Sequence, residues 1–431
     1  AFHRRGQIYY DLGDYHKALV EWAKCIELDD ESYLVYWRRG LAFAELEEFE
    51  IAIDEYTKCI DVNPDFILGY NNRAFVYRQN QQIDLSLADY TNCFKIDSAY
   101  AHGYYSRANL FLELGEYDKA LQDYKTCLTI DPSKAFAHNN RGNIFLTLGE
   151  SEKAIEEFSK AIEIDPEYSR AYLNRAIIFE QLEDYQMALE DYDNCIEDNP
   201  TYAKAYNKKG TVYFKMEEYE KAIEEYENCL KINPEYIDAI NNIGYIYELL
   251  EKYDKAIEMY DMCMSIDQDN TRWHFIKANI YFRIKKFDMA LEEYEKCIGF
   301  WPSDPEVYLK RAAFYIKTSK FNLAIKDLNT SMKLDGKDPE SFYYLGHICE
   351  LSSNIYEAVI YYTQSLTLLN LDEGYIINDY FNENKEKVSL AKIHIKRGGV
   401  FRQLEMNILM CEDYQKACEL GDCEAYNKHC H

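Results

Sequence analysis

Helix breakers are scarce in this chain of 431 residues, which holds 8 Pro and 17 Gly. That is too few for flexible linkers, collagen-like tracts or an all-β fold rich in tight turns. Long apolar runs are missing too. No stretch of about 18 apolar residues occurs, so no membrane span is indicated, and no secretory leader is visible. Positive charge is in deficit, with 48 Lys and Arg against 76 Asp and Glu, a net of −28. A surface this acidic repels phosphate backbones and anionic lipid, which argues against a nucleic-acid or membrane binder and favours basic partners. The sequence signatures of phosphate loops, dinucleotide sites, zinc proteases and serine hydrolases are also absent. Its nine His are scattered, and doubled acids such as Glu156-Glu157 and Glu224-Glu225 recur as solvated helix faces. No catalysis and no cofactor are expected.

What is present is apolar mass, 48% of residues and 41 of them Tyr, enough for a folded interior. Length alone suggests about three domains, but internal periodicity replaces that reading. Small residues stand every 34 positions without an insertion, at Gly6, Gly40, Ala74, Ala108, Gly142, Ala176, Gly210, Gly244, Ala278, Ala312 and Gly346. A second ladder runs from Ala18 through Ala52, Ser86 and Ala120 to Ala358. A third is aromatic, from Trp22 through Tyr56, Tyr90, Tyr124 and Phe158 to Tyr294, lapsing at Leu328 and returning at Tyr362. All eight prolines fall at repeat boundaries, where they end one helix or open the next. Each repeat therefore reads as two amphipathic helices, A and B, that bury their apolar faces only by stacking. Gly or Ala of helix A is expected to meet Ala of helix B at the closest backbone approach, with aromatics filling wider gaps.

These residues resemble the tetratricopeptide repeat family. In the fourth copy the matching positions are Ala108, Phe111, Leu114-Gly115, Tyr117, Ala120, Tyr124 and Pro132. Eleven copies occupy 1–372, the first truncated at its N-terminus, since the chain opens inside a repeat at Ala1-Phe2-His3. An insertion follows at 373–390. A twelfth copy with Arg397-Gly398, Phe401, Leu404, Tyr414 and Ala417, plus a capping helix, fills 391–431. The closing stretch is similar to the terminal repeat of many bacterial members. The resemblance implies an all-α, right-handed superhelical solenoid of antiparallel helix pairs whose concave groove takes peptides or helices.

The copies also predict contacts. The residue before the small one is basic in ten of twelve, and the residue before the helix-B aromatic is acidic in ten. The exceptions coincide: Ile243 goes with Met259, and Leu345 with Tyr361. Such co-variation predicts a semi-buried ion pair between helices A and B, because a lone buried charge is costly. It argues against an anion-binding arginine stripe.

Twelve of the thirteen cysteines divide into two sets. Eight, from Cys25 to Cys297, share one repeat slot that Ala161, Ser331 and Ser365 fill elsewhere. Their Cα atoms should lie beyond disulfide reach, which predicts free buried thiols and a reducing, cytoplasmic setting. Cys411, Cys418, Cys423 and Cys430 are spaced poorly for zinc. Cys411 and Cys418 share a helix face, as core residues do.

Binding residues are implied by the resemblance. Some members carry an asparagine ladder on helix A that grips peptide backbone, since an amide both donates and accepts. Here that position holds Asn72, Asn140, Asn174 and Asn242, broken by Arg38, Ser106, Lys208, Ile276, Lys310 and Tyr344. A carboxylate clamp matches Asn143, Asn174, Lys204 and Lys208, with Asn139 where the first Lys would stand. A second partial match is Asn109, Asn140 and Arg170. The expected function is a non-enzymatic scaffold for a protein or peptide partner, basic or with a free C-terminus. The alternatives are a structural subunit using convex faces and edges, or the recruiting arm of an enzyme whose catalytic domain lies outside this chain.

Overall fold

The computed structural model describes residues 2–28, 31–268, 270, 272–335, 338–371, 377–378, 387–388 and 390–430. By its contacts the chain divides into two units, Ala1–Ile232 and Asn233–His431. The first holds seven helix pairs. Its A helices are α1 (Phe2–Asp11), α3 (Tyr33–Glu45), α5 (Ile67–Gln79), α7 (Ala101–Glu113), α9 (Ala135–Thr147), α11 (Ser169–Gln181) and α13 (Ala203–Lys215). Its B helices are α2 (Tyr15–Leu28), α4 (Phe49–Val62), α6 (Ile83–Ile96), α8 (Tyr117–Ile130), α10 (Ser151–Ile164), α12 (Tyr185–Asp198) and α14 (Tyr219–Ile232).

The second unit continues the pattern. Its A helices are α15 (Ile237–Leu249), α17 (Arg272–Arg283), α19 (Pro305–Lys317), α21 (Pro339–Leu351) and α23 (Leu390–Gln403). Its B helices are α16 (Tyr253–Ile266), α18 (Phe287–Phe300), α20 (Phe321–Leu334), α22 (Ile355–Leu371) and α24 (Asn407–Glu419), followed by α25 (Glu424–His429). Between α22 and α23 two short antiparallel strands, β1 (Ile377–Asn378) and β2 (Lys387–Val388), pair Ile377 with Val388 and Asn378 with Lys387. Most of the 373–390 insertion lies outside the described residues. Within each unit every A helix packs first on its own B helix, which packs on the next A helix. The fold is an all-α solenoid of helix pairs.

The turns explain the register. Each A helix ends on a residue with positive φ, at 34-residue spacing through eleven copies: Gly13, Glu47, Gln81, Gly115, Gly149, Glu183, Glu217, Glu251, Lys285, Ser319 and Ser353, then Glu405. There the chain reverses with a six-to-one bond, such as Glu48 N–H to the Phe43 carbonyl at 2.9 Å. Most B helices end on Asp or Asn, whose side chain can accept from the N–H two residues on, as Asn63 does from Asp65 at 3.3 Å and Asp131 from Ser133 at 3.1 Å.

The core follows the ladders with one correction. The glycine of helix A faces the aromatic of its own helix B rather than its alanine. A methyl added at Gly142 would stand 2.6 Å from Phe158, and one at Gly40 2.6 Å from Tyr56. The ring lies flat on the backbone, and only a very small residue leaves it room. Ser86, which breaks the alanine ladder, is fully buried and donates to the Ala74 carbonyl at 2.7 Å.

All ten ion pairs expected between helices A and B form. Arg73–Asp89, Arg175–Asp191, Arg311–Asp327 and Arg397–Asp413 close at 2.7 Å, and Arg107–Asp123 and Lys209–Glu225 at 2.6 Å. Arg39–Glu55 and Arg141–Glu157 stand at 3.4 Å, Lys277–Glu293 at 3.7 Å, and Arg5 also meets Glu21. Most of the arginine forks are bidentate, the strongest geometry for a carboxylate.

The eight cysteines of the repeat slot form no disulfide, as expected, and seven are buried. The slot has a polar use as well, because its side chain meets the carbonyl that opens helix A: Cys93 points at Ile67 O and Ser365 at Pro339 O. The last four cysteines depart from the sequence reading. Cys411 bonds Cys430 and Cys418 bonds Cys423, with Cα atoms 5.6 and 4.0 Å apart. A left-handed turn at Gly421 folds the chain back on α24, a path that helix-face spacing alone does not reveal.

Candidate partner-binding face

Adjacent A helices in the first unit touch one another, α9 with α11 and α11 with α13. Their shared face carries most of the residues singled out from the sequence. It is held together by side-chain amides. Asn140 Nδ2 donates to Asn109 Oδ1 at 3.0 Å and to the Tyr124 hydroxyl at 3.3 Å, and the Tyr124 hydroxyl itself donates to Asn109. One repeat along, Asn174 Nδ2 donates to both Asn139 Oδ1 and Asn143 Oδ1 at 3.0 Å. Asn139 donates in turn to Asn140 Oδ1 at 3.3 Å. The amides of repeats 4 to 6 therefore bridge successive A helices, positioned by α7, α9 and α11.

Asn139 is only 4% exposed, its amide engaged by Asn140 and Asn174 beneath the face. Asn72 sits half-buried two helices away and accepts from Asn71 at 3.3 Å. Asn242 lies on α15 in the second unit, half-buried. The candidate asparagines thus fall into one connected group, Asn139, Asn140, Asn143 and Asn174, and two isolated members.

The cations lie on α11 and α13. Lys204 is exposed on α13, and Arg170 is exposed on α11. Among the described residues neither has an ion-pair partner. Lys208 leans toward Glu180 at 4.0 Å. Glu180 is 6% exposed and also takes Lys215 at 2.8 Å and the Tyr192 hydroxyl at 3.1 Å.

Sequence reasoning passed over this carboxylate. Its slot, four residues after the small residue, is apolar or aromatic in seven copies, among them Leu112, Leu146, Phe214, Phe282 and Ile316, and basic at Arg78 and Arg402, but Glu in Glu180, Glu248 and Glu350. An acid recurring in an apolar slot was the available signal. Glu350 repeats the arrangement, accepting from Tyr362 at 2.9 Å and pairing with Lys396 at 3.1 Å. Burial alone would raise its pKa, but His347, Lys396 and Tyr362 pull it down to about 2.

No group of His, Cys, Asp or Glu among the described residues is arranged to hold a metal. No helix among them is long and apolar enough to cross a membrane. The face offers side-chain amides and charged groups.

Tetratricopeptide repeat models match residues 1–32, 33–66, 135–168, 157–190, 203–236, 237–270 and 273–303, and a TPR repeat model matches 108–149. Together these segments span more than half of the chain. Among solved structures, MamA is 29% identical over 37% of this chain and 94% of its own, with a TM-score of 0.36. YrrB, described as a TPR protein with an unusual peptide-binding site, is 22% identical over 43% of this chain and 95% of its own, at 0.37. Pseudomonas aeruginosa pilF is 18% identical over 49% and 96%, at 0.43. No curated protein matches. With its 34-residue register, its stacked helix pairs and these matched segments, the chain belongs to the tetratricopeptide repeat family.

Proposed function

We propose that this chain is a non-enzymatic scaffold that holds a segment of a partner protein against the A-helix face of its first unit. The carrying observation is that α11, which holds Asn174, and its neighbour α13 each carry an exposed cation in the first turn, Arg170 and Lys204, in a chain whose net charge is −28. A local cationic patch on so acidic a molecule selects an acidic group or a terminal carboxylate and steers it to one place. The neighbouring amides of Asn140, Asn143 and Asn174 are already fixed by one another, so little entropy is lost in presenting them. Elsewhere the acidic B helices favour basic stretches of a partner.

A second reading has its own support. The second residue of helix B is polar in ten copies, among them Glu50, Asp118, Glu220 and Asp288, but it is Tyr356 in α22 and Ile408 in α24. These two are 70% and 78% exposed. Apolar residues displayed where ten other copies place polar ones suit contacts within a larger assembly.

A photo-reactive amino acid at Arg170 or Lys204, compared with one at Glu156 or Tyr356, tests both readings in a native extract. The groove reading expects one dominant cross-linked protein from positions 170 and 204 and none from the other two. Cross-links confined to Glu156 or Tyr356 would overturn it and support the assembly reading.

A further inference from the structure

The thirteen cysteines are chemically unequal. Seven of the eight in the repeat slot are sealed in the core, where burial pushes the thiols of Cys59, Cys93, Cys195 and Cys297 up to about 12 and those of Cys127 and Cys263 up to about 11. A thiol that does not ionise is a poor nucleophile and resists oxidation. The four at the C-terminus differ from these seven. All are only half-buried, they lie within twenty residues of one another, and they are joined two by two.

Their placement has mechanical meaning. Helix α25 has six residues, far fewer than an isolated helix needs to persist in water. It sits where the next A helix would stack. Ala425, Tyr426 and Cys430 pack on Phe401, Met410 and Tyr414, the apolar end of the last repeat. Polar support is thin, with Arg402 to His429 at 3.2 Å on the rim. The Cys411–Cys430 bond ties the far end of α25 to the first half of α24, and Cys418–Cys423 ties its near end. Both ends of a helix too short to hold itself are stapled to its neighbour.

We propose that these two pairs form a redox-controlled latch on the C-terminal cap. Closed, they keep α25 over Phe401, Met410 and Tyr414. Opened, they release it and lay that apolar end bare. Closure of each pair is a thiol–disulfide exchange with a small disulfide oxidant. One protein thiolate attacks a sulfur of the oxidant and displaces its other half as a thiolate. The second protein thiolate then attacks the mixed disulfide, so the protein loses two hydrogens and the oxidant becomes two thiols. A dithiol reductant reverses each step. The nine remaining cysteines stay outside this chemistry, seven of them buried in the core and none in a disulfide.

The test equilibrates the full chain in glutathione buffers from fully reduced to fully oxidised. Trapped thiols are then mapped by mass spectrometry, and amide hydrogen exchange is measured on the same samples. The latch requires two disulfides, 411–430 and 418–423, to appear together while the other nine cysteines remain thiols. It also requires exchange across 424–429 to rise at least about tenfold on reduction, with helices α3 to α12 unchanged. The double variant Cys411→Ser, Cys430→Ser should show the fast exchange even in oxidised buffer. Equal protection of α25 in both buffers would overturn the latch, as would four cysteines that remain thiols throughout or that pair differently.

Discussion

At the residue scale, the turn after helix A holds twelve left-handed positions of which only Gly13, Gly115 and Gly149 are glycine. Glutamates stand at Glu47, Glu183, Glu217, Glu251 and Glu405, each bearing a Cβ in a conformation that disfavours one. Glu251→Gly should therefore stabilise the second unit by roughly 1 kcal/mol, the relief of the left-handed penalty outweighing the greater freedom of the unfolded chain. Urea denaturation of the variant beside the parent checks it, and a lower midpoint would contradict it. Individual residues were unevenly legible in the sequence. The ion pairs were legible because acid and base disappear together at Ile243 and Met259. The burial of Asn139 was not, since an amide facing solvent and one facing another amide look alike in sequence.

At the scale of the element, each repeat is a helix hairpin closed by a turn at one end and an ion pair across its middle. Arg175 and Asp191 are nearly buried and bound by two hydrogen bonds. Removing one partner leaves the other charge without compensation, so Arg175→Met should cost about 3–5 kcal/mol. The double change Arg175→Met, Asp191→Leu should recover most of that loss, because the pair Leu345 and Tyr361 shows the hairpin accommodating an apolar version. A double-mutant cycle by thermal unfolding measures the coupling, and additive losses would refute it. The hairpins themselves were fully legible, because proline and the small-residue ladder mark every boundary. What escaped was the partner of the glycine. Periodicity tells which positions face inward but not which inward residue meets which.

For the whole molecule, acid stability follows from how its carboxylates are held. Burial would raise the pKa values of Glu157, Glu293 and Asp413, but His138, His274 and Arg397 beside them pull each below its ordinary value of 4.5 or 3.8. A lowered folded-state pKa means a contribution fully present above the ordinary value and lost as pH falls through the folded one. The melting temperature should thus hold from pH 7 to about 5 and fall steeply below about 4. Glu157→Gln should lower the plateau and shallow that fall, and an unchanged slope would argue against the assignment. The solenoid class was legible over nearly the whole chain, since a repeat names its own fold once it is counted. The terminal disulfides were not, because they depend on the path taken after α24, which occurs only once and so has no second copy to be compared with.

The ten ion pairs share one property with consequences beyond stability. Each joins residues sixteen apart inside a single repeat, as Arg73 to Asp89 and Arg311 to Asp327 do. Each cation has a carboxylate inside its own repeat, although Lys209 and Lys277 also reach Asp193 and Asp261 of the preceding one. Unequal crossing-over in the coding sequence that deletes or duplicates 34 codons within the first seven copies, all of which carry the pair, leaves every cation facing a carboxylate. Array length can then drift between generations without passing through an intermediate that carries a stranded buried charge, whereas a point change at either member of a pair must pass through one.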